Sequence, residues 1–372
     1  MRKVVIFSTI ALILGLGGYF YWIKRPMPEL DTKFAVSERK SENVETNKSS
    51  DISVNGAVVK ESGNSALLPN PNHTYQTFNN CGPATLSMML SLNGKSVSQK
   101  ELGDQMRPYQ IPSGDNDDKT IFTYEFVEWA KKYGFNSVGR VNGDIELLKT
   151  FTANGIPVVV KTWLHPGEDI GHFRIVRGFD EEKKVIIQDD SFEGPNRRIS
   201  YFDFLSMWQP FNYDYIIVYN DDQADLVEAI IGEEIDEVSA WQNALVRAQK
   251  EHEIDPSNPY PKFNMSTAYY HIGEYEKSVG AFEEVQTSLP KRMLWYQIEP
   301  ILAYKELKDY DRVFQITQNI LDNGNRAYSE LYVLRGDIYL LQGKRDEARS
   351  EYELALTYNK NLEKAQETLN SL

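Results

Sequence analysis

The stretch Gln76-Thr-Phe-Asn-Asn-Cys-Gly-Pro-Ala84 determines how the rest of this sequence is interpreted, because it places a cysteine where a loop meets a helix. After Cys81 the apolar residues recur at helical spacing, as at Leu86 and Leu90, and Pro83 suits a first helical turn because it lacks an N–H group. A thiol at a helix N-terminus feels the positive end of the helix dipole, which favours the nucleophilic thiolate. We therefore predict that Cys81 is a nucleophile rather than a quiet buried thiol.

A base for this nucleophile is found by elimination among the five histidines of the chain. His172 follows Gly171 and precedes the apolar run Phe173–Arg177, which predicts a strand that fixes the imidazole at its start. Without Cys81, a histidine satisfied inside the core would be the simpler interpretation. A cysteine, a distant histidine and an acid that orients the histidine make up the triad of nucleophilic catalysis. The acid is expected in Gln188-Asp189-Asp190, at the end of the next strand, and only one of the two aspartates can face the imidazole because strand side chains alternate.

The segments around these residues favour an α+β domain, which we place at residues 72–222. Helical patterns come first, over Tyr124–Tyr133 and Ile145–Thr152, and short β-branched runs dominate later, up to Tyr215–Tyr219. Helices followed by consecutive strands indicate an α+β fold rather than a wound parallel sheet.

Residues 223–372 are predicted to form an all-α repeat domain. Pro256 and Pro290 stand about 34 residues apart, and the segments Phe263–Tyr275 and Leu334–Gly343 superpose. This period resembles the tetratricopeptide repeat, a helix-turn-helix unit that stacks into a superhelix with a concave surface for a peptide or a partner protein. A non-repetitive helical bundle is the alternative. We expect this domain to fold separately from the one before it.

Two segments precede these domains. Val4–Ile23 carries no charge and is about 20 residues long, the length of a helix that crosses a bilayer core, and Arg2 and Lys3 stand before it. We predict a transmembrane signal anchor over residues 1–25 that holds both domains on the extracytoplasmic side of the cell membrane, although the basic residues after the segment favour the opposite orientation. Residues 26–71 have few large apolar side chains and are predicted to be a flexible polar linker.

The composition excludes several classes of function. A formal charge of −14 and a pI near 5.0 argue against a nucleic-acid partner, because such a partner requires a basic surface. Cys81 is the sole cysteine, which excludes internal disulfides and CxxC-type zinc or redox sites. The chemistry predicted for Cys81 needs no cofactor and no metal.

Two metal interpretations are weaker than the triad. One set of possible ligands mixes hard and soft donors at irregular spacing around a proline, which is atypical of a metal site. It consists of His165, Glu168, Asp169 and His172. The acidic run Asp115–Asp118 lacks the turn glycine and the closing glutamate of a calcium loop, so we interpret it as a solvated turn.

Four stretches together resemble the C39-like peptidase domain, a papain-fold family, and they occur in the order of that family. They are Gln76–Ala84, Gly155–Val159, Gly171–Asp180 and Ile187–Asp189. The resemblance implies that Cys81 is the nucleophile and His172 its base. It further implies that Asp189 orients the base and that Gln76 is an oxyanion-hole donor beside the Cys81 backbone N–H. Gln76 is one position closer to the cysteine than in papain-type relatives, and Asp190 stands where many members have proline.

The predicted protein is thus a membrane-anchored thiol peptidase with a Cys-His-Asp triad of Cys81, His172 and Asp189. It would cleave, or transfer, an acyl group of a peptide or protein substrate, while the repeats recruit that substrate or a partner protein. Bacterial members of the family that are fused to exporters cut leader peptides after a double glycine, but this chain has no nucleotide-binding half. The alternatives are a catalytically silent scaffold of the same fold and a triad that transfers the acyl group to an amine.

Overall fold

The computed structural model describes residues 52–54, 56–70, 72–109 and 121–372. The strands in these ranges are β1 (Ile52–Val54), β2 (Ala57–Val59), β3 (Ser65–Leu67), β4 (Asn136–Arg140), β5 (Val158–Trp163), β6 (Gly171–Asp180), β7 (Val185–Asp190), β8 (Gly194–Ser200) and β9 (Tyr215–Tyr219). The helices are α1 (Cys81–Leu92), α2 (Gln99–Met106), α3 (Thr123–Lys132), α4 (Ile145–Ala153), α5 (Tyr201–Trp208), α6 (Ala224–Ile231), α7 (Glu237–Ile254), α8 (Pro259–His271), α9 (Tyr275–Val285), α10 (Met293–Tyr296), α11 (Glu299–Glu306), α12 (Tyr310–Asp322), α13 (Ser329–Leu341), α14 (Arg345–Tyr358) and α15 (Glu363–Ser371).

An antiparallel sheet forms the centre of the first half of the chain, in the order β4-β9-β5-β6-β7-β8, and β3 pairs with β6. Successive side chains of β5 point to opposite faces, so Val159 packs towards α1 and α3 while Val158 and Val160 pack towards α4 and α5. Every residue of β5 is buried, including Lys161. A sheet covered by helices on both faces, followed by an all-helical region, confirms the predicted α+β and all-α classes.

The start of the sheet domain corrects the predicted linker. β3 pairs with β6 through Ala66 and Phe179, and the Leu68 backbone N–H donates to the Arg177 carbonyl at 2.8 Å. Val59 and Ala66 also pack against the core on the α4 face. Residues 57–59 and 65–67 therefore belong to the fold, and the boundary predicted at residue 72 lies too late. The apolar core side chains in this stretch are few, which is why its composition resembles that of a linker.

The predicted membrane anchor, residues 1–25, and the first part of the predicted linker lie outside the described residues. Within the described part of the chain, no helix combines the length and the hydropathy that a bilayer crossing requires.

The helices after residue 223 form the antiparallel pairs that the repeat period predicts. α8 pairs with α9, α11 with α12 and α13 with α14, with α7 before them and α15 after them. Helices approach closely where a small residue faces an aromatic one: a Cβ at Gly336 would lie 3.0 Å from the Tyr352 ring. The polar group of that ring is satisfied, because Tyr352 donates to the Asp337 carboxylate at 2.6 Å.

The sheet domain and the repeats share one hydrophobic core, which argues against the expectation that the repeats fold separately. Trp163 of β5 packs edge-on against Tyr296 at 5.6 Å between ring centres, and both belong to a cluster that continues through the repeat helices. The Asn212 side-chain amide donates to Thr267 at 2.6 Å, a hydrogen bond between the same two parts of the chain. At the far end of the repeats, Asn361 donates to the Asp104 carbonyl at 3.0 Å.

Candidate active site

Cys81 is the first residue of α1, and hydrogen bonds fix the loop that leads to it. The Asn80 side chain donates to Thr77 Oγ1 at 2.7 Å, and the Arg107 guanidinium donates to the Asn79 carbonyl. Asn79 has a φ of 52°, a left-handed conformation that asparagine tolerates better than most residues. The Cys81 side chain is partly exposed, whereas the residues after it are buried. Its backbone N–H is one of the N–H groups at a helix start that have no acceptor within the helix.

His172 is the second residue of β6, and its side chain is only 3% exposed. Its Nε2 atom lies 2.9 Å from Asp190 Oδ1, and the imidazole is near enough to Cys81 for its hydrogen bond and charge to lower the pKa of that thiol. Because Nε2 faces the carboxylate, Nδ1 is the nitrogen left for the thiol. The structure therefore brings the predicted nucleophile and the predicted base together.

The acid beside His172 is Asp190, which corrects the prediction of Asp189. Arg174 pairs with Asp190 across β6 and β7, and residues opposite each other on paired strands point to the same face. His172, two positions before Arg174, shares that face. Asp189 pairs instead with Ile175, so its side chain points to the other face of the sheet.

Asp189 has a structural ion pair in place of the predicted contact. Its Oδ1 lies 2.6 Å from Arg177 Nη2, and its Oδ2 accepts from Arg177 Nε at 2.7 Å. It also accepts from the Asn196 backbone N–H at 2.9 Å. Both charged side chains are buried, so this pair satisfies charges inside the fold.

Hydrogen bonds to one oxygen and an ion pair at the other hold the Asp190 carboxylate. Its Oδ2 lies 2.9 Å from Arg174 Nε, while its Oδ1 accepts from the backbone N–H groups of Phe192 at 2.7 Å and Glu193 at 2.9 Å. The Arg174 guanidinium is itself fixed, because it donates to the Trp163 carbonyl at 2.8 Å and to two further oxygens on the same strand and loop. A buried carboxylate with this many donors keeps a single orientation.

The electrostatics favour a charged pair between Cys81 and His172. Burial tends to raise the pKa of the Cys81 thiol, but the hydrogen bond and charge of His172, together with the charge of Arg107 and a backbone N–H, lower it below its usual value. Burial tends to lower the pKa of His172, and the hydrogen bonds to Asp190 and Cys81 outweigh it, so that pKa is raised. Burial opposes ionisation of Asp190, but its pKa lies well below its usual range because of His172 and Arg174. The site can therefore hold a thiolate, an imidazolium and a carboxylate in a row.

Gln76, the predicted oxyanion-hole donor, lies on the loop beside Ser191. Its backbone N–H donates to the Ser191 carbonyl at 2.8 Å, and its side-chain carbonyl accepts from Ser191 Oγ at 2.8 Å. These contacts tie Gln76 to the residue that follows Asp190 and use the oxygen end of its amide, which leaves the N–H₂ end as a donor. The oxyanion role of Gln76 stays a prediction.

In the described part of the chain the four possible metal ligands do not converge on one point. His165 lies between Glu193 at 2.9 Å and Glu168 at 3.0 Å, and the carboxylate of Glu193 makes the largest contribution to raising its pKa. Asp169 instead forms an ion pair with Arg292 at 2.5 Å. Asp115–Asp118 lies outside the described residues.

Sequence reasoning missed Arg174 and Arg107. Arg174 stands two positions after His172 within a strand pattern, so alternation alone places it on the histidine's face, next to whichever acid lies there. Arg107 approaches the site only through the packing of α2 against α1, for which the sequence carries no signal.

A cysteine at the start of a helix, packed on an antiparallel sheet whose strands carry a histidine and an acid, lies in an α+β domain. The Peptidase_C39 like family matches residues 66–216, which confirms the resemblance predicted from the sequence. The helical region after it fits tetratricopeptide repeats.

Solved structures similar to parts of the chain include a protein of Bacillus anthracis assigned to the C39-like peptidases, at 16% identity and a TM-score of 0.35, over 42% of this chain and 98% of that one. The peptidase domain of Streptococcus ComA, a bifunctional ABC transporter of a quorum-sensing pathway, has 21% identity and a TM-score of 0.31 over 42% of this chain and 98% of that one. A thermophilic TPR protein of Thermus thermophilus has 19% identity and a TM-score of 0.25 over 34% of this chain and 70% of that one. No curated protein matches the chain significantly.

Proposed function

We propose that this protein is a thiol peptidase in which Cys81 is the nucleophile, His172 is its base and Asp190, rather than Asp189, orients the imidazole. The observation that carries the proposal is the His172 ring, which lies 2.9 Å from the Asp190 carboxylate and near enough to Cys81 to lower the pKa of its thiol. A base that touches its nucleophile and is oriented by a third group is the arrangement that nucleophilic catalysis requires. The match to a peptidase family supports an amide as the substrate bond.

In the proposed reaction the Cys81 thiolate attacks the carbonyl carbon of a peptide bond and forms a tetrahedral oxyanion. The Cys81 backbone N–H and the Gln76 side-chain amide donate to this oxyanion. The His172 imidazolium gives its proton to the leaving amine, which produces a thioester on Cys81. His172 then takes a proton from water, the resulting hydroxide attacks the thioester, and the thiolate and the carboxylic acid are released. Asp190 stabilises the imidazolium throughout without accepting its proton.

The substrate in this proposal is a peptide or a protein, recruited directly or through a partner by the repeats. The uncharged apolar run Val4–Ile23 supports anchoring of the chain in the cell membrane, with the catalytic region on the extracytoplasmic side. An acceptor amine in place of water would turn the same thioester chemistry into acyl transfer.

The test uses the fact that Cys81 is the only thiol in the chain, so any thiol reagent reports on it alone. We expect the rate of iodoacetamide alkylation to be nearly independent of pH above the lowered Cys81 pKa. In urea the same chain should follow an ordinary thiol, whose rate rises about tenfold per pH unit up to a pKa near ~8.5. His172→Ala should restore this steep dependence in the folded protein, because it removes the main group that lowers the pKa.

Cleavage is tested by incubating the full-length protein with a peptide library and mapping the products by mass spectrometry, with Cys81→Ala as the control. Products that depend on Cys81 support the peptidase. A steep alkylation profile in the folded protein, with no products, would instead establish the silent scaffold. A reactive thiol that yields products only when an amine is added would establish acyl transfer.

A further inference from the structure

A cavity of about 750 Å³ lies between the sheet domain and the repeat helices. None of Cys81, His172 and Asp190 lines it, so it is distinct from the candidate active site. Its volume falls in the range of about 300–1,000 Å³ that ligand sites occupy. Aromatic side chains from both parts of the chain line it, namely Phe122, Tyr124, Phe211, Trp241, Tyr270 and Tyr296.

Two buried carboxylate oxygens in this cavity, Asp214 Oδ1 and Glu299 Oε2, have no hydrogen-bond partner among the described residues. The other oxygen of Asp214 accepts from Thr123, and that of Glu299 lies 3.6 Å from the His271 ring nitrogen. Burial is the main cause that raises the pKa of Asp214 to about 6; the hydrogen bond from Thr123 and the charge of Lys161 act against it, and the charge of Glu299 adds to it. The cavity therefore holds two acidic groups near each other, each with an unused acceptor.

The buried Lys161 does not use these acceptors. Its Nζ lies 3.4 Å from the Ile121 carbonyl and 3.5 Å from the Tyr296 carbonyl. It lies between 5.5 and 5.8 Å from the centres of four aromatic rings, those of Phe122, Phe173, Phe211 and Tyr296. In the described part of the chain no salt bridge joins Lys161 to Asp214 or Glu299. The cavity lining therefore includes one buried ammonium group and two carboxylates with which it does not pair.

We propose that this cavity binds the basic side chain of a peptide, whose ammonium or guanidinium group donates to the free oxygens of Asp214 and Glu299. Lysine and arginine side chains supply several N–H donors on an apolar stem, and the stem suits the aromatic walls. The faces of tryptophan and tyrosine also attract cations, and Trp241 and Tyr270 line the cavity. The site lies on the side of the repeats that faces the sheet domain, and it does not depend on the proposed peptidase activity.

The experiment measures the binding of a fluorescein-labelled Gly-Gly-Arg-Gly-Gly peptide to the full-length protein by fluorescence anisotropy. The protein carries Cys81→Ala so that the peptide is not cut. The matched probe replaces arginine with citrulline, which has nearly the same shape and no charge. We expect the arginine peptide to bind at least about tenfold more tightly, as a charge-assisted hydrogen bond contributes.

Glu299→Gln and Asp214→Asn should each reduce the affinity for the arginine peptide about tenfold and leave the citrulline peptide unaffected. The matched control is Glu237→Gln, which removes an exposed acid at the rim of the same cavity and should change neither affinity. Circular dichroism verifies that each variant is folded, and either of the two interior variants suffices if the other unfolds. Equal binding of the two peptides, or an arginine affinity that survives in a folded interior variant, would overturn the proposal.

Discussion

The exchange of Asp190 for asparagine tests the site most directly. The substitution keeps the size of the side chain and removes its charge. The new amide would keep one acceptor oxygen for His172 and the two backbone N–H groups, but its N–H₂ end would face Arg174 Nε, which lies 2.9 Å from the Asp190 carboxylate. Two donors would then oppose each other, and the buried Arg174 would lose its anion. The imidazolium of His172 would lose its counter-charge at the same time.

The expected magnitudes follow from these contacts. Breaking a buried ion pair by removing one partner destabilises a fold by about 3–5 kcal/mol. The equivalent exchange in a serine triad lowers turnover about 10⁴-fold. A thiolate–imidazolium pair that forms before the substrate binds needs less help from the acid, so we expect a loss of about 10²–10³-fold, or about 2.7–4 kcal/mol of barrier.

Asp189→Asn is the matched control for Asp190→Asn. It breaks another buried ion pair, to Arg177 at 2.6 Å, so it should destabilise the fold by a similar amount while leaving turnover within a few-fold of the parent. Urea denaturation gives the two free energies of unfolding, and cleavage of a mapped peptide gives the two turnover numbers. If Asp189→Asn abolished turnover and Asp190→Asn did not, the assignment of the acid would be wrong. If both lost turnover in proportion to stability, neither acid would act on His172 specifically.

Three further results are expected. Arg174→Met should lower both the free energy of unfolding and turnover, because Asp190 loses the ion pair that fixes it. Full turnover in a folded Arg174→Met variant would contradict this. Deleting everything after Asp225 should yield an aggregating chain, as light scattering would show, because the repeats cover apolar side chains of the sheet domain. Gly171→Ala should reduce turnover several-fold, because its Cβ would lie 2.7 Å from the Tyr296 ring, and Tyr296→Leu in the same chain should restore part of the loss if that clash is the cause.

The elements that carry the site were predictable because their signals are local. The helix after Cys81 and the strand that begins beside His172 follow from apolar periodicity, and the structure has both. The assignment of the acid failed because it depends on register, a property of two strands together. Because strand side chains alternate, only one aspartate can face the imidazole, as predicted. Which aspartate lies opposite Arg174 is set by the pairing of β6 with β7, which includes a bulge between Val176 and Gly178.

The boundaries were less predictable than the elements. The three-residue strand Ser65–Leu67 is too short to show a period in the sequence. It belongs to the fold only because it pairs antiparallel with β6. The shared core was missed for a related reason. Trp163 and Tyr296 each look like ordinary buried aromatics in their own segments, and their contact, at 5.6 Å between ring centres, is visible only in the folded chain.

This contact changes what the repeats are expected to do. A separable repeat domain would influence catalysis only by bringing a substrate closer. Here Tyr296 packs on Gly171, the residue before His172, and Arg292 forms an ion pair at 2.5 Å with Asp169 on the loop that leads into the same strand. The repeats thus help to fix the position of His172. Tyr296 also lines the cavity that contains Asp214 and Glu299, so one side chain of the repeats contacts both this cavity and the strand that carries His172.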